Sequence, residues 1–293
     1  MKILLIGSNG QVGFKLAKKL DSLGQLISTN REELDLVDKQ AIRNFIDETK
    51  PNIIVNCAGY TAVDKAESEP DLAYLINTIA PEVLAEKSAE YNIPLIHFST
   101  NYVFDGQKNE PYNETDEANP QSIYAKSKYE GELKIRKYSK HIILRSSWIF
   151  GAHGNNFLKN ILRLIQDKES LKIVADQWGR PTSASMLADV TFKIVDAILK
   201  YQNFNDYGIY HVASENETTW YQYAHFIANE AMQLNLKIKC ESDHIYPIST
   251  SEYPAAAKRP LNSNLNTDKL KRTFELELPH WKSEVRKVLR ELI

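Results

Sequence analysis

Short apolar runs and longer amphipathic stretches take turns along the first half of the chain. ILLI at 3–6, QLIS at 25–28, IIVNCA at 53–58 and LIHFS at 95–99 read as strands. Between them, 13–24, 38–50 and 71–91 carry apolar residues at helical spacing. Largely apolar strands separated by helices imply a parallel sheet covered on both faces. IILRSS at 142–147 follows a helical stretch at 123–140 and adds a further strand. The expected fold class is therefore α/β, a Rossmann-type doubly wound parallel sheet. Beyond about residue 148 the pattern loosens into mixed loops at 151–156 and 176–183, helices near 157–168 and 218–234, and a Pro- and Asn-rich stretch at 254–266. GIYHVAS at 208–214 reads as a strand again, and no internal repeat interrupts the pattern.

The first strand runs directly into GSNGQVG, with Gly7, Gly10 and Gly13 ahead of a helix. Glycine allows a tight turn and a close backbone approach to a pyrophosphate, whose charge a helix N-terminus favours. Gly10, Gln11 and Val12 should present the nearest amides. A glycine triplet elsewhere is an ordinary strand-to-helix turn; in the first βα unit it marks dinucleotide binding. Residues 1–150 are expected to form the dinucleotide-binding domain, rejoined by about 185–215, with 151–293 mainly a smaller C-terminal substrate-binding lobe. In NAD-specific sites an acid closes the second strand. Here that strand ends STNREELDL at 28–36, with Arg31 in reach of a phosphate, which favours NADPH and leaves NADH open. Asp35 and Leu36 follow, where adenine could be held, although a turn-capping role for Asp35 explains it equally well.

Composition narrows the partners. A net charge of -2 and a pI near 6.4 leave no basic footprint for nucleic acid or an acidic membrane surface. No stretch approaches the ~18 apolar residues of a membrane span. The N-terminus has no secretory h-region, and Cys57 and Cys240 lack disulfide or thiolate-metal spacing. The seven histidines form no helical pair suited to zinc. A cytoplasmic protein that binds a small molecule, without a metal, is expected.

A carbonyl reductase needs a proton donor whose pKa is brought toward neutrality. Tyrosine titrates near 10, and a nearby lysine ammonium favours its anion. Tyr124 and Lys128 are four residues apart and share a helix face. With 15 tyrosines in the chain such a pair can arise by chance as a solvated surface couple. HFSTNYVFDG at 97–106 changes the weighting, because a strand ends there in hydroxyl residues at the edge where doubly wound folds bind ligands. Ser99 or Thr100 could donate to a substrate carbonyl. Thr100, Tyr124 and Lys128 are the catalytic candidates, and Lys126 and Tyr129 are expected to be scaffold or surface.

These segments, with NCAGYTAVDKAESEP at 56–70, RSSWIFGAHGNNF at 145–157, DQWGRPT at 176–182, TWYQYA at 219–224 and KRPLNSNLNT at 258–267, run from end to end of the chain. Together they resemble the extended short-chain dehydrogenase/reductases and, among them, the dTDP-4-dehydrorhamnose reductase family. The resemblance implies reduction of the 4-keto group of dTDP-4-dehydro-β-L-rhamnose. Tyr124 would protonate O4, Lys128 would tune Tyr124 and bind the nicotinamide ribose, and Thr100 would hold the carbonyl. Family cofactor contacts fall on Gly10, Gln11, Val12, Asp35, Leu36, Gly59, Tyr60 and Thr61, with another near Phe98. Substrate contacts fall on Thr100, Asn101 and Trp148, the last equally well explained as core packing. Arg259 is a candidate diphosphate partner, against the plainer reading of a surface arginine. The charged run 64–71 is expected to be mostly a solvated helix start.

Two departures stand out. Asn101 replaces the usual Asp, and Lys15 and Ser185 occupy positions where some members hold Mg²⁺ with glutamates to form a dimer. A metal-bridged homodimer is therefore not expected, while a homodimer of another kind stays open. Two alternatives accompany the main reading. One is another nucleotide-sugar epimerase, dehydratase or reductase of the superfamily, although a dehydratase would need an acid where Asn101 stands. The other is a non-enzymatic regulatory subunit resembling the methionine adenosyltransferase regulatory chain, against which the intact Thr100, Tyr124 and Lys128 argue.

Overall fold

A computed structural model describes all 293 residues. The apolar runs form six parallel strands, β1 (Lys2–Ile6), β2 (Gln25–Thr29), β3 (Ile53–Asn56), β4 (Leu95–Thr100), β5 (His141–Ser146) and β6 (Gly208–Val212). Their order in the sheet is β6-β5-β4-β3-β1-β2, and each neighbouring pair is parallel. Strands are added in opposite directions on either side of β1 and β3, so the carboxyl ends of these two parallel strands open the crevice in which doubly wound sheets hold ligands.

Helices cover both faces. On one side α1 (Gln11–Leu20) and α8 (Ala184–Lys200) pack on the sheet through Leu16, Leu20, Leu187 and Ile194. On the other, α2 (Lys39–Thr49), α5 (Ala80–Glu90) and α6 (Ile123–Ile135) bury Ile42, Ile46, Leu84 and Ile135 against Leu4, Ile54 and Leu95. Burial on both faces explains why β1, β3, β4 and β5 lack polar alternation, whereas the edge strand β2 exposes Gln25 and Ser28. α1 begins at Gln11, two residues before the expected start, so Gly13 lies in its first turn. The 71–91 stretch divides into α4 (Pro70–Tyr74), a π-helical turn at Leu75–Ile79, and α5. The short α3 (Val63–Ala66) precedes it, and the 123–140 stretch stops being helical at Ile135.

A second core gathers α7 (Phe157–Asp167), α9 (Trp220–Gln233) and α11 (Trp281–Leu292) around Phe150, Ile161, Tyr223 and Trp281. A small parallel pair, Leu171–Val174 with Ile245–Ile248, joins it. α10 (Asp268–Phe274) returns to the first core, where Leu270 is buried among the sheet-side residues. No helix is long and apolar enough to cross a membrane.

Candidate active site

The glycine loop forms a cradle that side chains would fill. Gly7 has φ +82°, and a Cβ at Gly13 would stand 2.1 Å from the Gly7 carbonyl oxygen. Gly10 caps α1 without a side-chain hydrogen bond, and the first turn carries no acid. The Gly10 N–H, expected among the presented amides, instead donates to the Gly7 carbonyl oxygen at 3.1 Å, so the free amides at the positive helix end are those of Gln11 and Val12. Val12 is buried, and Gln11 accepts a hydrogen bond from Asn156 Nδ2 at 2.9 Å, which ties the loop to α7.

Beyond the end of β2, Asn9, Asn30, Arg31, Glu32 and Asp35 line a 520 Å³ polar groove. Arg31 is largely exposed and approaches Asp35 only to 3.9 Å, so its guanidinium remains available to an anion. Asp35 accepts from the amide of Val37, the turn-capping role, while its side chain also borders the groove. Leu36 is not in that groove; its side chain is buried in the core with α2.

Gly59 and Tyr60 follow β3 and are half-buried, whereas Thr61 is exposed. Asn77, within the π-helical turn, holds this loop. Its Oδ1 accepts from Tyr60 N at 2.9 Å, and its Nδ2 donates to Tyr60 O and Ser127 Oγ, both at 3.0 Å. Thr78 Oγ1 donates to Ser127 O at 2.7 Å. A Cβ at Gly131 would lie 2.0 Å from the Asn77 carbonyl oxygen, so α6 and the π turn meet backbone to backbone. Nothing in the periodicity of 71–91 indicated this turn or Asn77. π turns do occur often at functional sites.

Ser122 caps α6 by accepting from Ala125 N, and the helix carries Tyr124 and Lys128 inward, each more than nine-tenths buried. The surface-pair alternative for these two residues is thereby removed; Lys126 is exposed and Tyr129 is half-buried. Thr100 ends β4, accepts from Tyr102 N at 3.2 Å and hydrogen-bonds the Tyr124 phenol. Burial pushes that phenol up to about 12, against the lowering effect of Thr100. Lys128 Nζ donates to Phe98 O at 2.6 Å and lies 3.2 Å from His97 Nε2; a Cβ at Gly59 would stand 3.6 Å from it. Burial lowers Lys128 to about 8, partly opposed by Glu132. The expected lowering of the Tyr124 pKa by Lys128 is not what the site shows: burial raises the phenol, and the opposing effect comes from Thr100. Asn101 is buried and its Nδ2 has no partner within the protein, nor does Ser99 Oγ. Such orphaned groups beside the cluster suit polar ligand atoms. Together with the cradle they fit a bound dinucleotide and a polyhydroxyl substrate.

Trp148 packs against the second core, and Arg259 lies beside Tyr102. Trp148 has φ +48°, stacks on Trp220 with ring centroids 3.5 Å apart, and its ring edge presses on Gly179, where a Cβ would be 2.5 Å away. It remains half-buried, so packing accounts for one of its faces. Arg259 is not a free surface arginine: it clasps Asp64 at 3.0 and 2.5 Å, and Asp64 also accepts from Ala257 N. The guanidinium holds the Asp64 carboxyl below its usual range. The run 64–71 is mostly exposed, as expected, although Glu67 accepts from Ile123 N and Glu69 from the Tyr60 hydroxyl. Lys15, where a metal-holding glutamate would sit, is ion-paired to Glu291 at 2.6 Å.

A doubly wound parallel sheet with a threonine, a tyrosine and a lysine gathered at its carboxyl edge defines a protein of the short-chain dehydrogenase/reductase class. All 293 residues match the model of the RmlD substrate binding domain family. The chain is 39% identical to the dTDP-4-dehydrorhamnose reductase of Escherichia coli strain K12, across 100% of this chain and 98% of that one. A solved dTDP-4-dehydrorhamnose reductase from Clostridium acetobutylicum matches with TM-score 0.91 and 37% identity, covering 100% of this chain and 99% of the other. One from Bacillus anthracis, solved in complex with NADP, matches with TM-score 0.89 and 33% identity over 99% of both chains. The chain belongs to the RmlD family.

Proposed function

We propose that this protein reduces the 4-keto group of dTDP-4-dehydro-β-L-rhamnose to dTDP-β-L-rhamnose with NADPH. The observation that carries the reading is the convergence of Thr100, Tyr124 and Lys128 at the carboxyl end of β4, in a chain similar to dTDP-4-dehydrorhamnose reductases over its full length. NADPH, when bound, supplies the hydride.

The glycine loop amides and the α1 N-terminus hold the pyrophosphate, and Gly59 to Thr61 line the crevice beside it. Arg31 meets the 2′-phosphate from the open groove. Thr100 steers the carbonyl oxygen, and Tyr124 donates its phenolic proton to O4 as the alkoxide develops. Lys128 must carry its charge to favour the tyrosinate that this leaves. Because Lys128 titrates near 8, its charge is present below that pH and is lost above it, so turnover should fall on the alkaline side. Asn101 Nδ2 is a donor for a sugar hydroxyl, and Trp148 offers an apolar face to the hexose.

Loss of NADPH absorbance on adding dTDP-4-dehydrorhamnose, with identification of the product sugar, tests the reading. Tyr124→Phe should lower turnover by about 10²- to 10⁴-fold, the range of general acid catalysis, while cofactor binding is retained. Undiminished turnover in that variant would remove Tyr124 as the acid.

A further inference from the structure

Behind Lys128 lies a chain of buried polar groups that the reaction above does not use. Asn56 ends β3 and His97 lies on the neighbouring β4, both 0% exposed. The amide of Ala58 donates to Asn56 Oδ1 at 3.0 Å. A backbone N–H can only donate, which fixes the orientation of the Asn56 side-chain amide. Its NH₂ therefore faces His97 Nδ1, 3.0 Å away, and donates to it. Burial pushes His97 well below its ordinary range, so the imidazole is neutral. A neutral imidazole that accepts at Nδ1 carries its proton at Nε2, and Nε2 points at Lys128 Nζ, 3.2 Å away.

An ammonium at Lys128 would set N–H against N–H at that contact. A free amine accepts from His97 and still donates to Phe98 O, so only the amine satisfies all four contacts. We propose that Asn56 and His97 form a positioning pair that locks His97 as a hydrogen-bond donor toward Lys128 and thereby weakens the hold of Lys128 on its proton. The other titratable groups around Lys128 are Tyr124 on the same helix, the thiol of Cys57 after β3, and Glu132 one turn further along α6. Glu132 works in the opposite direction, but its carboxylate is engaged by Arg145. The consequence rests on the reductase reading above: the loss of activity at alkaline pH follows Lys128, and its position is set by which nitrogen of His97 bears the proton.

Histidine labelled with ¹⁵N tests the arrangement without any turnover. In the unsubstituted protein His97 should show a protonated Nε2 and a bare Nδ1, with the Nε2 resonance shifting through an inflection near pH 8 that Lys128→Met abolishes. A proton on Nδ1, an imidazolium, or a resonance unmoved between pH 7 and 10 would overturn the proposal even if the protein reduces the sugar. Asn56→Asp supplies the kinetic arm. A carboxylate there accepts from both Ala58 N and His97 Nδ1, reverses the tautomer and turns Nε2 into an acceptor. The alkaline limb of kcat should then move up by about one pH unit or more. His97→Phe, which removes the donor, should move it in the same direction. A limb that stays in place in both folded variants overturns the proposal. Absence of turnover in every protein, with the expected tautomer still present, would count against the reductase reading and not against the His97 assignment.

Discussion

Two buried cations, Lys128 on α6 and Arg145 on β5, have opposite surroundings. Arg145 is 2% exposed and its guanidinium grips Glu132 through Nε at 2.9 and 3.2 Å and Nη2 at 2.6 Å. It also lies over the Phe104 ring, 5.1 Å from the centroid. Lys128 is nearly as buried, yet has a backbone carbonyl and an imidazole as partners instead of a carboxylate. Glu132 sits four residues from Lys128 on the same helix, but its acceptor oxygens are committed to Arg145. A bidentate partner makes one cation a fastener between α6 and β5. The lack of one keeps the other close to its titration point, where it can serve chemistry.

Breaking the paired site should have the largest effect on stability. Glu132→Ala leaves the Arg145 charge buried and unpaired, and urea unfolding should show a loss of about 3–5 kcal/mol. A loss near zero would mean that Arg145 reaches water easily and that the contrast with Lys128 is only apparent. The unpaired site should respond with the opposite sign. The folded-state pKa of Lys128, about 8, lies below its ordinary 10.5, so the native state binds fewer protons than the unfolded chain between those values. The resulting penalty is fully present below pH 8 and fades as pH rises toward 10.5. Lys128→Met should therefore raise stability at pH 7 by about 1–3 kcal/mol, with the gain vanishing near pH 10.5 and turnover lost throughout. Destabilisation at pH 7 would show that Lys128 is a structural residue. Arg31, an exposed cation outside both networks, should matter least. Arg31→Ala should raise the KM for NADPH by about tenfold or less, hardly change that for NADH, and leave the unfolding midpoint in place. Equal changes for both cofactors would remove Arg31 from the 2′-phosphate.

The difference between these cations is not visible in the residue order, and the reason is physical. Spacing alone puts Tyr124, Lys128 and Glu132 on one face of a helix, which is a local property of 3.6-residue geometry. Whether Glu132 neutralises Lys128 or another cation depends on β5 arriving beside α6. Thr100 could be placed because a strand's carboxyl edge is where such sheets bind ligands. Its contact with Tyr124 depends on how α6 crosses β4. Arg259 reads as a diphosphate partner or a surface residue until Asp64, far away in the chain, is brought to it. Trp148 reads ambiguously until Trp220 stacks on it. Asn77 is not legible in the residue order because the π turn that presents it has the apolar spacing of an ordinary helix.

By itself, the sequence determined the properties that short-range chemistry enforces. Strands apolar on both faces required a doubly covered parallel sheet, glycines at 7, 10 and 13 required a close backbone approach, and the i, i+4 spacing required Tyr124 and Lys128 to face one way. Only the tertiary structure decided which charges are neutralised, which imidazole nitrogen meets Lys128, and which of the candidate residues share the crevice. Those outcomes depend on groups from separate elements, 13 residues apart for Glu132 and Arg145 and 195 for Asp64 and Arg259, meeting within about 3 Å, where hydrogen-bond direction and desolvation outweigh any local preference.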